Sequence, residues 1–223
     1  MIPFDQYLTK QVDVELSGKI KLTGILIDYG LDIVVLYNGR QYLYIPLGQI
    51  HHVRENLEQD SILSVSAGDA PMAEEPFDNI SYRKILSHAR GKFIEIFVTG
   101  NQTLHGYVTS ILTDYFVFYS PVYKTMFISL YHVKWLSPYT ANAAPYTLGS
   151  QHLPVQPISL SLPRTFTENL KKLENNLVIF DIGDHPRKIG LLQKVENNMI
   201  ELVTGEGEKN YWNEKHLKTV HLP

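Results

Sequence analysis

A chain of 223 residues, 44% hydrophobic and 19% charged, has the length of one large domain or two to three small ones and the composition of an ordinary folded protein. The absence of cysteine excludes disulfides and thiolate-bound metal, and a formal charge of −3 argues against nucleic-acid binding through a broad basic surface. No run of about 18 apolar residues occurs, so no membrane-spanning helix is expected. The start, MIPFDQYLTK, has neither a basic region nor an apolar core, so no secretory signal is expected and the chain should fold where it is made.

In chain order, a short helical segment, "PFDQYLTKQ", precedes Val12, Val14 and Leu16, whose alternation marks a strand with one buried face. "SGKIKLTG" supplies a turn, and "GILIDYGLDIVVLYN" (24–38) reads as two strands around an aspartate turn. A hairpin then leads to "YIPLGQIHHV" (44–53), a fourth strand, a short turn and a fifth strand. Residues 57–77 are acidic and rich in small residues, as expected of a linker.

The pattern then repeats. "DNISYRKILSHAR" is the second helical segment, and Ile94, Ile96 and Val98 alternate as before. "GYVTSILTDYFVFYS" (106–120) aligns without a gap on 24–38, and "FISLYHVKWL" (127–136) follows as the fourth and fifth strands. Residues 138–163 carry five prolines and little charge, which predicts an extended surface segment. Its apolar end, "VQPISLSLP", suits a barrel groove, an edge strand or a plain spacer. The third copy has "RTFTENLKKLENN", where Thr165 and Glu168 form a capping box. Val178, Phe180 and Ile182 alternate, "GLLQKVENNMIELVT" (190–204) matches again, and "YWNEKHLKTV" (211–220) closes it. Gly106 follows Gly24 by 82 positions and Gly190 follows Gly106 by 84, with one single-residue gap before Tyr44, Phe127 and Tyr211. Asp32, Asp114 and Asn198 share one turn position. The match fails at Lys188, which stands where the other copies have Leu22 and Leu104.

The expected organisation is therefore repeat 1 at 1–56, an acidic linker at 57–77, repeat 2 at 78–137, a proline-rich linker at 138–163 and repeat 3 at 164–223. Each roughly 55-residue repeat buries little core alone, so packing between repeats is expected to add stability.

Motifs for chemistry are sparse. His51 and His52 are neighbours on a predicted strand and point to opposite faces, so they cannot chelate one ion. His132 and His216 share a position that Gln49 fills in the first copy; the reading for them is a turn residue capping backbone groups before the last strand. "TGEGEKN" (204–210) falls between strands and reads as a hairpin, not a phosphate cradle. Asp13, Glu15, Glu95 and Asp181 are expected on the solvent face of first strands, with nothing to pair them in a cleft. No catalytic, cofactor-binding or metal-ligating residue is assigned, and the chain is expected not to be an enzyme.

A helix followed by five short, bent strands resembles the Sm-like small barrel, so the expected fold is all-β: three tandem Sm-like five-stranded barrels, each preceded by a short helix. Sm-like proteins bind RNA with an asparagine near the third-strand turn and an arginine–glycine pair after the fourth strand. Here those places hold Asp32, Asp114 and Asn198, then Ile45-Pro46, Ile128-Ser129 and Trp212-Asn213. An aspartate beside a phosphate repels it, which argues against nucleic acid as a partner. Tyr29, Tyr37, Tyr115 and Tyr119, read as exposed, suit either base stacking or a barrel exterior or repeat interface.

The closing motifs His132-Val133-Lys134-Trp135-Leu136 and His216-Leu217-Lys218-Thr219-Val220 resemble those of the CotB-type spore-coat repeats of Bacillus-type endospore formers. The first copy departs, with Gln49-Ile50-His51-His52-Val53. Its Leu36-Tyr37-Asn38-Gly39 and the stretch from Leu43 to Ile50 resemble the small DUF2642 proteins of the same bacteria. The serine/lysine-rich tail of the CotB type has no counterpart here, so its properties are not carried over. The resemblance implies a non-enzymatic structural protein of the spore coat or outer spore surface. It would be made in the mother-cell cytoplasm, take no cofactor, and have other coat proteins and copies of itself as partners. The rival readings are an Sm-like RNA- or DNA-binding module and an adaptor built on the same barrels.

Overall fold

The computed structural model describes residues 4–57, 80–99, 102–139, 145–147 and 161–223. Most of both predicted linkers, 57–77 and 138–163, lies outside the described residues. The fold is predominantly β. In chain order come β1 (Gln11–Leu16), β2 (Ile20–Tyr29), β3 (Ile33–Tyr37), β4 (Tyr42–Pro46) and β5 (Ile50–Glu55). Next are α1 (Tyr82–Ala89), β6 (Phe93–Phe97), β7 (Thr103–Ile111), β8 (Tyr115–Ser120), β9 (Lys124–Ser129) and β10 (Trp135–Pro138). The last group is α2 (Phe166–Lys172), β11 (Leu177–Phe180), β12 (Ile189–Glu196), β13 (Met199–Val203), β14 (Lys209–Asn213) and β15 (Thr219–His221).

The chain divides into two compact units, with boundaries at 96/97 and 132/133, inside the second predicted repeat, and at 143/144, inside the predicted proline-rich linker. One unit holds Met1–Ile96 and Val133–Ala143; the other holds Phe97–His132 and Ala144–Pro223. In the first unit the strand order is β6-β10-β4-β3-β2-β1-β5. In the second it is β14-β13-β12-β11-β15-β9-β8-β7.

The predicted alternation is realised in β1, where Val12, Val14 and Leu16 are buried, and in β6, where Ile94 and Ile96 are. β8 departs from it: all six of its residues are buried, so both of its faces are covered. β11 also departs. It ends at Phe180, because Asp181 and Ile182 take left-handed φ of 50° and 56° and turn the chain into a short 3-10 segment. Ile182 is therefore not the third buried residue of a strand. The first predicted helix is a single 3-10 turn, Phe4–Tyr7. The capping box at α2 forms as expected: Glu168 N donates to Thr165 Oγ1 and Thr165 N to Glu168 Oε2, at 3.3 and 3.1 Å.

Local features recur at the predicted spacing. Antiparallel register slips by one residue between Leu26 and Asp28, between Val108 and Ser110, and between Leu192 and Lys194. Each slip is a bulge that bends the long second strand. The residue two places before each first strand is left-handed: Thr9 (φ 62°), Gly91 (φ 74°) and Asn175 (φ 64°). Glycine is needed where backbones approach. A Cβ on Gly24, Gly106 or Gly190 would stand 2.5, 2.1 or 2.2 Å from the carbonyl oxygen of Tyr37, Tyr119 or Val203. Asp32, Asp114 and Asn198 carbonyls accept from Leu47, Leu130 and Glu214 N–H at 2.8, 2.9 and 2.9 Å, tying each aspartate or asparagine turn to the turn before the fifth strand.

Candidate functional site

The most organised polar constructions lie where one copy of the pattern meets the next. In the first unit β10 pairs with β4, Leu136 opposite Tyr44. In the second unit β15 pairs with β9, with Thr219, Val220 and His221 opposite Ile128, Phe127 and Met126. Tyr44 and Phe127 hold the same place in the pattern, as do Leu136 and Val220. The fifth strand of each later copy thus lies on the fourth strand of the copy before it, in one register. Tyr44, Phe127, Leu136 and Val220 are all buried by these contacts.

Side chains lock both junctions. Lys134 Nζ donates to Gln49 Oε1 at 2.8 Å and to Ser17 Oγ, and Ser17 Oγ itself donates to Gln49 Oε1 at 2.6 Å. At the second junction the equivalent Lys218 Nζ donates to Thr99 Oγ1 at 3.3 Å, and Thr99 corresponds to Ser17. His132, in the place of Gln49, bonds through Nε2 to the Lys215 carbonyl at 2.9 Å. His132 does cap a backbone group, but one belonging to the following copy rather than to its own turn. His216 is exposed.

A second clamp recurs at the turn aspartates. Asp32 Oδ1 accepts from Tyr82 N at 2.7 Å, and Leu31 N donates to the Ile80 carbonyl at 3.1 Å. Asp114 Oδ1 accepts from Phe166 N at 2.8 Å, and Thr113 N donates to the Arg164 carbonyl at 3.1 Å. Each carboxylate satisfies the first turn of the next copy's helix, where orphan N–H groups favour negative charge. Burial first, then the Asp32 charge, pushes the Tyr82 hydroxyl far above the usual phenol range.

Asp181 overturns the expectation of a solvent-facing carboxylate. The left-handed turn swings it inward to 0% exposure, where its Oδ1 accepts from Lys218 N and Thr219 N at 2.7 and 3.0 Å. Its Oδ2 accepts from Lys188 Nζ at 2.6 Å, and Asp184 adds a second contact to that ammonium at 3.1 Å. Desolvation pulls the Lys188 ammonium down, but hydrogen bonds and charges from Asp181 and Asp184 outweigh it and leave its pKa raised. The mismatch of Lys188 with Leu22 and Leu104 thus has a use: it is the counter-ion of Asp181, which is buried where the other copies place the half-buried Glu15 and Phe97. Asp13 is only partly buried. The Thr23 hydrogen bond, against a smaller desolvation cost, and further bonds from Asn56 and Arg54 hold its carboxyl below the usual range.

The tyrosines divide. Tyr115 and Tyr119 are buried, at 0% and 6% exposure, not exposed as expected, because β8 is covered on both faces. Tyr115 donates its hydroxyl to the Pro163 carbonyl at 2.7 Å and packs on Phe127 and Phe166; burial, then Asp114 and Glu168, push its pKa up to about 12. Neither ring can stack on a base. Tyr29 and Tyr37 are half-buried. His51 and His52 are exposed on β5. Among the described residues no three His, Asp or Glu are placed to hold a metal. The "TGEGEKN" stretch is the β13–β14 hairpin, closed by Thr204 N to Glu208 O at 3.0 Å. The junction set built on Ser17, Gln49 and Lys134 escaped the sequence reading. Its signal was the lysine two places after the histidine in both later closing motifs.

Residues 165–220 match the family described as the YwrJ third domain. The chain is also similar to the Bacillus subtilis (strain 168) protein named "Uncharacterized protein YwrJ", with 45% identity over 224 residues and 98% of each chain covered. No solved structure matches it significantly.

Proposed function

We propose that this chain, which belongs to the YwrJ family, is a non-enzymatic structural protein of the bacterial spore coat or outer spore layers, assembling through strand edges and aromatic surfaces. Its architecture in this reading is three tandem Sm-like small barrels. The recurring bulges, the left-handed residues at 9, 91 and 175, and the close approaches at Gly24, Gly106 and Gly190 support the three-fold pattern. The observation that carries the assembly role is the strand exchange: twice, a fifth strand is laid on the preceding fourth strand and locked by a lysine. Such edges are a general means of adding one protein to another. The spore assignment draws on the closing-motif likeness to CotB-type repeats and on a relative from a Bacillus. Made in the mother cell, the protein would take other coat proteins as neighbours and need no cofactor.

The nucleic-acid reading has less support. The turn carboxylates Asp32 and Asp114 are engaged by helix N–H groups, and two of the four tyrosines offered for stacking are buried. The deciding experiment is a fluorescent fusion followed through sporulation. Accumulation around the developing spore and recovery in the outer-layer extract is the expected result. Diffuse signal that never reaches the spore, or sub-micromolar binding of single-stranded RNA at physiological salt, would displace this reading.

A further inference from the structure

Two edges of the strand pattern have no cover among the described residues, and they are complementary. β5 ends the strand order of the first unit and β14 ends that of the second. Among the described residues β14 is a fourth strand on which no fifth is laid, and β5 a fifth strand laid on no fourth. In the two internal junctions those same roles are paired, β4 with β10 and β9 with β15. The burial contrast follows position for position. Tyr44 and Phe127 are 1% and 3% exposed, whereas Tyr211 in the equivalent place on β14 is 61% exposed. All described residues of β10 and β15 are buried, whereas His51, His52 and Arg54 on β5 are exposed and Val53 is half-buried.

We propose that β14 of one copy pairs antiparallel with β5 of a second copy of this chain, repeating between molecules the junction already used twice within one. The register carries over from the internal pairs. Tyr211 stands opposite Val53 of the second copy, as Phe127 stands opposite Val220; Trp212 meets His52, and Asn210 meets Arg54. Asn213 N–H donates to the His51 carbonyl, the counterpart of the 2.9 Å bond from Ser129 N to the Lys218 carbonyl. Tyr211 covers Val53 with a large apolar ring whose hydroxyl stays at the rim. The contact is heterologous, so it either closes on itself or grows as an open series; both give a mass above that of one chain. Edges left to solvent as polar caps are the competing arrangement.

The proposal rests on the reading of the chain as copies that join by strand edges, but its test is separate from spore localisation. The chain has no cysteine, so single cysteines report register without background. Directly opposed antiparallel residues have Cα atoms about 4.5–5.5 Å apart, within disulfide reach. Purified Val53→Cys chains are mixed with Tyr211→Cys chains and oxidised. A second pair, Arg54→Cys with Asn210→Cys, covers the case in which the half-buried Val53 site perturbs folding. The mixed two-chain product should form at least about tenfold faster than in a control of Val53→Cys with Leu31→Cys, a turn residue 78% exposed. In sedimentation, the unmodified protein should exceed the 25.5 kDa of one chain, and Tyr211→Asp should return it to that mass. A single-chain mass at high concentration with neither pair faster than the control overturns the proposal. An oligomer in which neither pair cross-links in register overturns it as well. A protein that cross-links in register yet never reaches the spore leaves this inference standing and removes the coat reading instead.

Discussion

Replacing Gly106 with alanine sets two opposed effects against each other, and the structure decides between them. An added Cβ removes conformational freedom from the unfolded chain, which by itself stabilises by about 0.4–1 kcal/mol. In the folded state that Cβ would sit 2.1 Å from the Tyr119 carbonyl oxygen and 3.0 Å from the Phe118 ring. The first contact is with backbone on the neighbouring strand, so it cannot be relieved by a rotamer change. β7 and β8 must separate by the better part of an ångström beside a bulge, and forced overpacking of this kind costs about 1–3 kcal/mol. The net expectation is a loss of about 1–2 kcal/mol, or roughly 2–8 °C in Tm. Gly24→Ala and Gly190→Ala should behave alike, since their carbonyl contacts are 2.5 and 2.2 Å. Gly48→Ala and Gly205→Ala are the internal controls: nothing lies within 4 Å of an added Cβ and neither has positive φ, so both should be neutral or slightly stabilising. Urea and thermal denaturation followed by circular dichroism read all five. Wild-type stability in any one of the three repeat glycine variants, or an equal loss in the controls, would refute the close-approach argument.

Asp181→Ala should cost about 3 kcal/mol, because it leaves the main-chain N–H groups of Lys218 and Thr219, where the last strand begins, without their acceptor and the Lys188 ammonium with Asp184 alone, in a site 13% exposed at the lysine side chain. A urea-denaturation loss below about 1 kcal/mol would mean that water replaces the carboxylate at little cost. His221 is buried, its Nδ1 has no hydrogen-bond partner among the described residues, and desolvation lowers its pKa below the usual 6.5. The unfolded chain therefore takes up a proton that the folded one resists, so stability is full above about pH 6.5 and falls as the pH drops through the folded-state value. Urea midpoints at successive pH values should show His221→Phe losing less than wild type over that window; an equal loss would assign the acid sensitivity elsewhere.

The repeated pattern was legible because bulges, close approaches and tight turns constrain residue type locally: glycine at 24, 106 and 190, and Asp or Asn at 32, 114 and 198. The same holds for the Thr165–Glu168 capping box and the 204–210 hairpin. What a strand lies beside was not legible. The closing motif marks β10 as a fifth strand but does not show that its neighbour is β4 of the preceding copy, since main-chain ladders leave no side-chain signature. Tyr115 and Tyr119 were misplaced for a related reason: a strand covered on both faces contradicts the inference that every second residue meets water. Asp181 was misplaced because nothing in "FDIGD" marks two consecutive non-glycine residues as left-handed. Lys134 recurs in the closing motif, but nothing in the sequence places Ser17 and Gln49 around its ammonium.

Each compact unit is interrupted in sequence by part of the other, and this bears on the order in which the chain can fold. The strand that covers β4 is encoded beyond Phe97–His132, which belongs to the second unit. At roughly 5–20 residues per second, β4 leaves the ribosome several seconds before β10 exists to pair with it. During that interval its Tyr44–Ile45 edge is open to any other extended chain, and on a crowded polysome the nearest one is another nascent copy. The second unit faces the same delay between β9 and β15. Neither unit can be excised as one continuous fragment, so a truncation after residue 96 removes the cover from β4 rather than liberating a finished domain.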